Sequence, residues 1–320
     1  MGDFLVYAAF RVAWLCLQHA PYGAVRRLLE GAAALAHVLD RRHREVVRDN
    51  LARAYPDLEE AARARVARGA FRSWGRMVAE LAQPQAVLTS ATEASLERLA
   101  LRASSVRNGG PLLVLTAHIG NFELLARLMG RHTGWRVAVF HRRMKNRFIE
   151  NRLLADRSRA NVDTLGRGML VREALETLRR GGIVVVPLDQ NQMPHRGVFV
   201  DFFDQPACTS TLLARLSLAT GVPVLPVFAG WQGEDLLAEV EAPIEPGAPT
   251  TRRDREAAIY ALTERYTHAI ERAVRRLPEQ WNWAHRRWKT KPSPAVGTPD
   301  QGRRSGAAGK EGGHLALGSD

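Results

Sequence analysis

Pro111-Leu112-Leu113-Val114-Leu115-Thr116-Ala117-His118-Ile119-Gly120-Asn121-Phe122-Glu123-Leu124-Leu125 passes without interruption from an apolar run to a helical period. The run from Pro111 to Thr116 reads as a fully buried strand, and Phe122, Leu124, Leu125, Leu128 and Met129 open an amphipathic helix. His118 therefore falls at a strand-to-helix turn, where unpaired backbone N–H groups and the positive end of a helix dipole suit a developing negative charge. Asn121 is the expected N-cap, and Gly120 and Asn121 are candidate substrate-binding positions. Glu123, in the first helical turn, can fold back toward the imidazole. The spacing thus predicts a His118–Glu123 dyad, with the histidine as general base and the carboxylate as its orienting partner.

Outward from this stretch, apolar runs alternate with helical periods. Strands are expected at 112–117, 136–140, 183–188 and 224–229, with 236–241 a weaker candidate, and helices at 122–132, 145–159, 168–180 and 210–219. Alternation of this kind indicates an α/β class, a mixed sheet flanked by helices. A closing amphipathic helix is expected over 254–277. Residues 21–85 read as helical throughout, in segments ending near Leu39 and Ala54, the next opened by Asp57 as N-cap after Pro56. From 291 the composition turns to Gly, Pro, Ser and charge, the signature of a disordered tail. The expected organisation is 1–85 as an N-terminal membrane-associating helical region, 86–290 as the α/β domain and 291–320 as the tail.

The chain has 320 residues and a net charge of +13, with 42 arginines and four lysines. Codon bias of a GC-rich genome and attraction to anionic surfaces both account for such an arginine excess. Phe4 to Leu17 is apolar but interrupted by Arg11, and is too short for a spanning helix, which needs about 20 residues. Asp3 stands where a signal peptide carries basic charge. An interfacial anchor and a buried core helix both remain open for this segment; Phe4, Tyr7 and Trp14 with Arg11, Arg26 and Arg27 suit a helix at headgroup depth. Trp281, Trp283 and Trp288 with Arg286, Arg287 and Lys289 leave the same two options, interfacial seating or packing under the last helix. Cys16 and Cys208 give no disulfide framework, and Cys208 has no histidine placed beside it as a nucleophile would require. His37, His43, His132 and His141 form no metal-ligand spacing. Phosphate-loop, dinucleotide and Gly-x-Ser-x-Gly fingerprints are missing, as is any nucleic-acid motif, so no metal, cofactor or nucleic acid is expected.

Four further blocks follow His118 and Glu123 in order: Gly182-Ile183-Val184-Val185-Val186-Pro187-Leu188-Asp189-Gln190, Gly197 to Thr211, Thr220-Gly221-Val222-Pro223-Val224-Leu225-Pro226, and Pro278-Glu279-Gln280-Trp281-Asn282-Trp283-Ala284-His285-Arg286-Arg287-Trp288-Lys289. Together they resemble the bacterial lipid A late acyltransferases, the lauroyl and myristoyl transferases, within the lysophospholipid/glycerolipid acyltransferase superfamily, over roughly residues 1 to 290. The resemblance implies a glycerolipid acyltransferase-like fold at the cytoplasmic face of the bacterial inner membrane, with an anionic membrane surface as partner. It also implies transfer of a fatty acyl chain from acyl carrier protein or acyl-CoA to a hydroxyl of a lipid A precursor. It places Asp189 in the active-site region and gives an important arginine of the second block to Arg157 or Arg159, candidates for phosphate binding along with Arg142, Arg143 and Lys145. Other lipid acceptors, namely a glycerolipid, a phosphatidylinositol mannoside or an aminolipid, stay open, as does a non-catalytic basic membrane-surface protein.

Overall fold

The structure, a computed structural model, describes residues 2–140, 146–166 and 170–292. Four helices come first: α1 (Gly2–His19), α2 (Tyr22–Leu39), α3 (Arg41–Ala54) and α4 (Glu60–Ala82). Helices α2 and α4 lie so close that a Cβ on Gly75 would meet the carbonyl oxygen of Leu29 at 2.4 Å, so any larger residue there would push them apart. Helix α4 starts after Glu59, not at Asp57 as expected, and its N-cap makes no side-chain hydrogen bond.

Helix α5 (Ser90–Arg107) leads into the six-stranded sheet. Its strands are β1 (Leu112–Thr116), β2 (Val137–Phe140), β3 (Val162–Leu165), β4 (Ile183–Pro187), β7 (Val224–Gln232) and β8 (Asp235–Val240), in the order β3-β2-β4-β1-β7-β8. All neighbours pair in parallel except β7 and β8, so the mixed sheet read from the alternation is present. Helices α6 (Phe122–Thr133), α7 (Arg147–Ser158), α8 (Leu170–Arg179), α9 (Leu212–Thr220) and α10 (Arg252–Arg276) complete the fold. A separate hairpin, β5 (Gly197–Phe202) with β6 (Gln205–Ser210), turns through Phe203 and Asp204, both at positive φ. That turn has the handedness two-residue hairpins favour but carries no glycine, so the usual sequence signal is missing.

Alternate residues of β1 face opposite ways and serve two cores. Leu113 and Leu115 join α3, α4, α9, α10 and the terminal tryptophans in one cluster, while Leu112 joins α5 and α6 in the other. Trp281 and Trp283 are completely buried and Trp288 nearly so, which corrects the interfacial option for this cluster: Trp281 packs edge to face on Trp283 and on Phe202, Trp288 lies tilted on Phe202, and all three are core. Among the described residues, no helix is long and apolar enough to cross a membrane. The tail expected from 291 lies outside the described residues except for its first two.

Candidate active site

Parallel pairing sets Thr116 of β1 beside Pro187 of β4. Two residues further along each chain, His118 and Asp189 meet at the carboxyl edge of the sheet, where open α/β sheets gather their sites. His118 Nδ1 lies 2.8 Å from Asp189 Oδ1, and the His118 backbone N–H donates to Asp189 Oδ2 at 3.0 Å. The indole N–H of Trp281 donates to the same Oδ2 at 2.8 Å. Burial disfavours the charged form of both partners, yet their mutual attraction outweighs it: the imidazole pKa is raised and the carboxyl is held well below the usual carboxylate range, the Trp281 N–H adding to the latter. With Nδ1–H committed to Asp189, Nε2 is the basic nitrogen. It lies 3.2 Å from the Gln190 amide nitrogen, which donates to it.

The loop carrying His118 is clamped by the segment after α10. The Gly120 N–H donates to Gln280 O at 2.9 Å, the Asn282 N–H donates to His118 O at 3.0 Å, and Ile119 bridges to Trp281. Gly120 has φ +53°, and a Cβ there would meet Ala229 O at 2.5 Å, so only glycine fits the turn. Asn121 caps α6 as expected, accepting from the Leu124 N–H at 3.1 Å, while its amide donates to Glu80 Oε2 at 2.9 Å. Buried Glu80 also takes Arg76 and the Trp231 indole. Gly120 and Asn121 therefore build the turn with groups that are already bonded.

The expected His118–Glu123 contact is not formed; the side-chain partners of His118 are Asp189 and Gln190. Phe122 turns its ring edge-on to the imidazole at a centroid distance of 4.8 Å, and the next helical residue is rotated by about 100° from it. Glu123 instead receives Arg157 Nε and Nη2 at 2.8 and 2.7 Å and Arg127 Nε and Nη2 at 2.9 and 2.8 Å, which lower its pKa against the opposing effect of burial. The candidate arginines thus separate: Arg157 is buried on Glu123, whereas Arg159 is largely exposed and pairs with Asp156 at 3.1 Å. Arg142, Arg143 and Lys145 lie outside the described residues.

Sequence reasoning gave Trp281 and Arg287 no role at this site. Buried Arg287 donates to Cys208 O at 3.0 Å and Gln190 O at 3.3 Å, tying the loop after Asp189 to β6. Burial lowers its pKa to about 10, with Asp189 and Cys208 opposing the shift. Their signal was the terminal block itself, whose chemistry the sequence could not connect to His118. Behind the site, between the sheet and helices α5 and α6, a narrow apolar cavity runs from Thr116 and Phe122 past Leu125 and Met129 to Leu112 and Trp135.

A family model described as bacterial lipid A biosynthesis acyltransferase matches residues 2–290. The chain is 28% identical over 302 residues to the lipid A biosynthesis lauroyltransferase of Escherichia coli K12, covering 90% of this chain and 92% of that protein. It is also 28% identical over 297 residues to the lipid A biosynthesis palmitoleoyltransferase of the same organism, with coverage of 90% and 92%. With the phosphatidylinositol mannoside acyltransferase of Mycobacterium tuberculosis it shares 24% identity over 291 residues, 88% of this chain and 87% of that protein.

Proposed function

Since the chain belongs to the bacterial lipid A biosynthesis acyltransferase family and is therefore an O-acyltransferase, we propose that it moves a fatty acyl chain from a thioester donor to a hydroxyl of a lipid A precursor, with His118 as base. The observation that carries this reading is the His118–Asp189 pair, whose imidazole packs on Phe122, a residue that lines an apolar cavity. The acceptor hydroxyl takes the place of the Gln190 amide at Nε2 and gives up its proton there as its oxygen bonds to the thioester carbonyl carbon. The tetrahedral oxyanion then collapses, the C–S bond breaks, and the thiolate recovers the proton from the imidazolium. No covalent enzyme intermediate is needed, because a thiolate leaves readily.

Asp189 holds the tautomer and stabilises the imidazolium, the task the spacing had assigned to Glu123. Glu123 works at one remove, fixing the first turn of α6 through Arg157. In that turn the Leu124 N–H goes to the Asn121 side chain and the Leu125 N–H to the Asn121 carbonyl, while the Phe122 and Glu123 amides head the helix beside the imidazole. These amides and the helix dipole are the source of oxyanion stabilisation. The cavity from Thr116 to Leu112 follows β1 for about 13 Å, a length suited to a medium-length acyl chain.

The enzyme sits at the cytoplasmic face of the inner membrane. Phe4, Val12 and Leu15 of α1 and Leu28, Leu35 and Leu39 of α2 are exposed, an apolar surface that suits seating in a bilayer interface. Acyl carrier protein or acyl-CoA is the donor, and an acidic carrier suits the +13 charge. The mannoside acyltransferase relative supports a second reading, the same chemistry on a phosphatidylinositol mannoside.

Expression of wild type and His118→Ala in a Gram-negative host lacking its late lipid A acyltransferases, followed by mass spectrometry of lipid A, tests the proposal. A gain of one acyl chain with the wild type alone is expected. If wild type, folded and membrane-bound, leaves lipid A unchanged, the acceptor assignment fails and other lipids take its place.

A further inference from the structure

Helix α6 has a second cavity on the side away from the sheet. A cleft opens there between α1, the end of α4, α6 and α7. Trp14, Leu81, Leu124 and Leu128 give it an apolar lining, and Arg127, Arg131, Arg152 and Arg159 line it together with a single carboxylate, Asp156. Asp156 is shared between Arg152 at 3.0 Å and Arg159 at 3.1 Å, which holds both guanidinium groups in place without neutralising both. Arg127 spends Nε and Nη2 on Glu123, a carboxylate that Arg157 also occupies. Arg131 has no hydrogen-bond or ion-pair partner among the described residues.

We propose that this cleft binds the phosphate group of a lipid. With Arg127 held by Glu123, the remaining three guanidinium groups share the one carboxylate of Asp156, which leaves a charge excess that an anion removes, and guanidinium forks match phosphate oxygens in pairs. The apolar lining takes the hydrocarbon or sugar face next to the phosphate. Trp14, stacked on Phe10 in α1, brings the cleft to the helix that carries exposed Phe4, Val12 and Leu15. Along α6, Arg131 follows by nine residues the Phe122 that touches His118, a rise of about 14 Å. On this proposal, one source of the phosphate is the acceptor itself, with a hydroxyl of the same molecule at His118. A phosphate of a neighbouring anionic phospholipid offers the same chemistry. The first source rests on the acyl-transfer reading above; the second does not.

The test uses the full-length protein, wild type against Arg131→Glu and Arg131→Lys, with two probes. In the first arm, binding to phosphatidylcholine vesicles with and without phosphatidylglycerol is measured by cosedimentation. In the second, KM is measured for a phosphorylated glucosamine-based acceptor and for its dephosphorylated counterpart. A phosphate-dependent loss of about 10-fold is expected in Arg131→Glu, largely restored in Arg131→Lys. If KM rises for the phosphorylated acceptor alone, the acceptor supplies the phosphate. If affinity falls for the anionic vesicles alone, membrane phospholipid supplies it. Unchanged values in both arms overturn the proposal. Should wild type transfer no acyl chain, the acyl-transfer reading fails while the vesicle arm still decides the cleft.

Discussion

The two sides of α6 are opposites. Phe122, Leu125, Ala126 and Met129 face the sheet and line an apolar cavity, whereas Arg127 and Arg131, with Leu124 and Leu128, face a cleft dominated by guanidinium groups. A period of 3.6 residues sorts these side chains onto two faces from one short sequence, so a single helix can serve a hydrocarbon chain on one side and an anion on the other. Both faces start at the same capped turn, next to His118. The contrast teaches that charge is kept out of the apolar cavity by the body of the helix, with Glu123 tethering Arg127 to the outer side.

The strongest way to break this arrangement is at the point both faces share. His118→Ala removes the proposed base and is expected to lower the turnover rate by about 10²- to 10⁴-fold in a thiol-release assay with acceptor present, while both cavities persist. Next comes the tether. Glu123→Ala leaves Arg127 and Arg157 unpaired and buried, and urea unfolding should read a loss of about 3–5 kcal/mol; a loss under ~1 kcal/mol would mean that the outer arginines need no anchor. On the inner face, Ala126→Phe intrudes on the apolar cavity and should shorten the transferred chain seen by mass spectrometry, at a stability cost of about 1–3 kcal/mol. An unchanged chain length would place the donor elsewhere.

The pH profile sharpens the role of the capped turn. Because the pKa of His118 is raised by Asp189, the neutral base forms only above the ordinary value of 6.5, and kcat/KM should climb with pH through that higher pKa. In Asp189→Asn the burial that remains pushes the imidazole the other way, so the acidic limb moves to lower pH while the plateau rate falls. The stabilisation follows the same signs. His118's share is complete below 6.5 and is lost as pH rises through its raised pKa; Asp189's share is complete above 3.8 and is lost as pH falls through its depressed one. Pair stabilisation is therefore fullest between those two reference values. The smallest expected effect is at Gln190. Removing the amide that covers Nε2 in Gln190→Ala opens the base to water, and donor hydrolysis without acceptor should rise by about two- to five-fold, on the scale of one net hydrogen bond.

Much of this frame was legible before any coordinates. The buried run at 112–116 and the 3.6-residue period after Asn121 place His118 at a strand-to-helix turn, and the run ending at Pro187 places Asp189 at an equivalent edge. Helix α5 escaped notice because Ser, Ala and Arg dominate Ser90–Arg107 and its apolar face is thin. Strand β3 has only four residues, two of them polar, and draws its place from pairing with β2. The tryptophans near the end could not be assigned from composition, since the same residues serve a membrane interface and a core; burial against Phe202 and Asp189 decides for the core.

By itself, the sequence determined the passage from β1 through His118 to the capped start of α6 and most strands of the main sheet, because these depend on local periodicity and chain-neighbour hydrogen bonds. Which carboxylate meets the imidazole was decided only by the tertiary structure. Glu123 is five residues from His118 and Asp189 is 71, yet helical rotation turns Glu123 away toward Arg157, while the parallel register of β1 and β4 brings Asp189 to Nδ1. Such a pairing is set by strand register between segments distant in the chain, a quantity that no local pattern encodes.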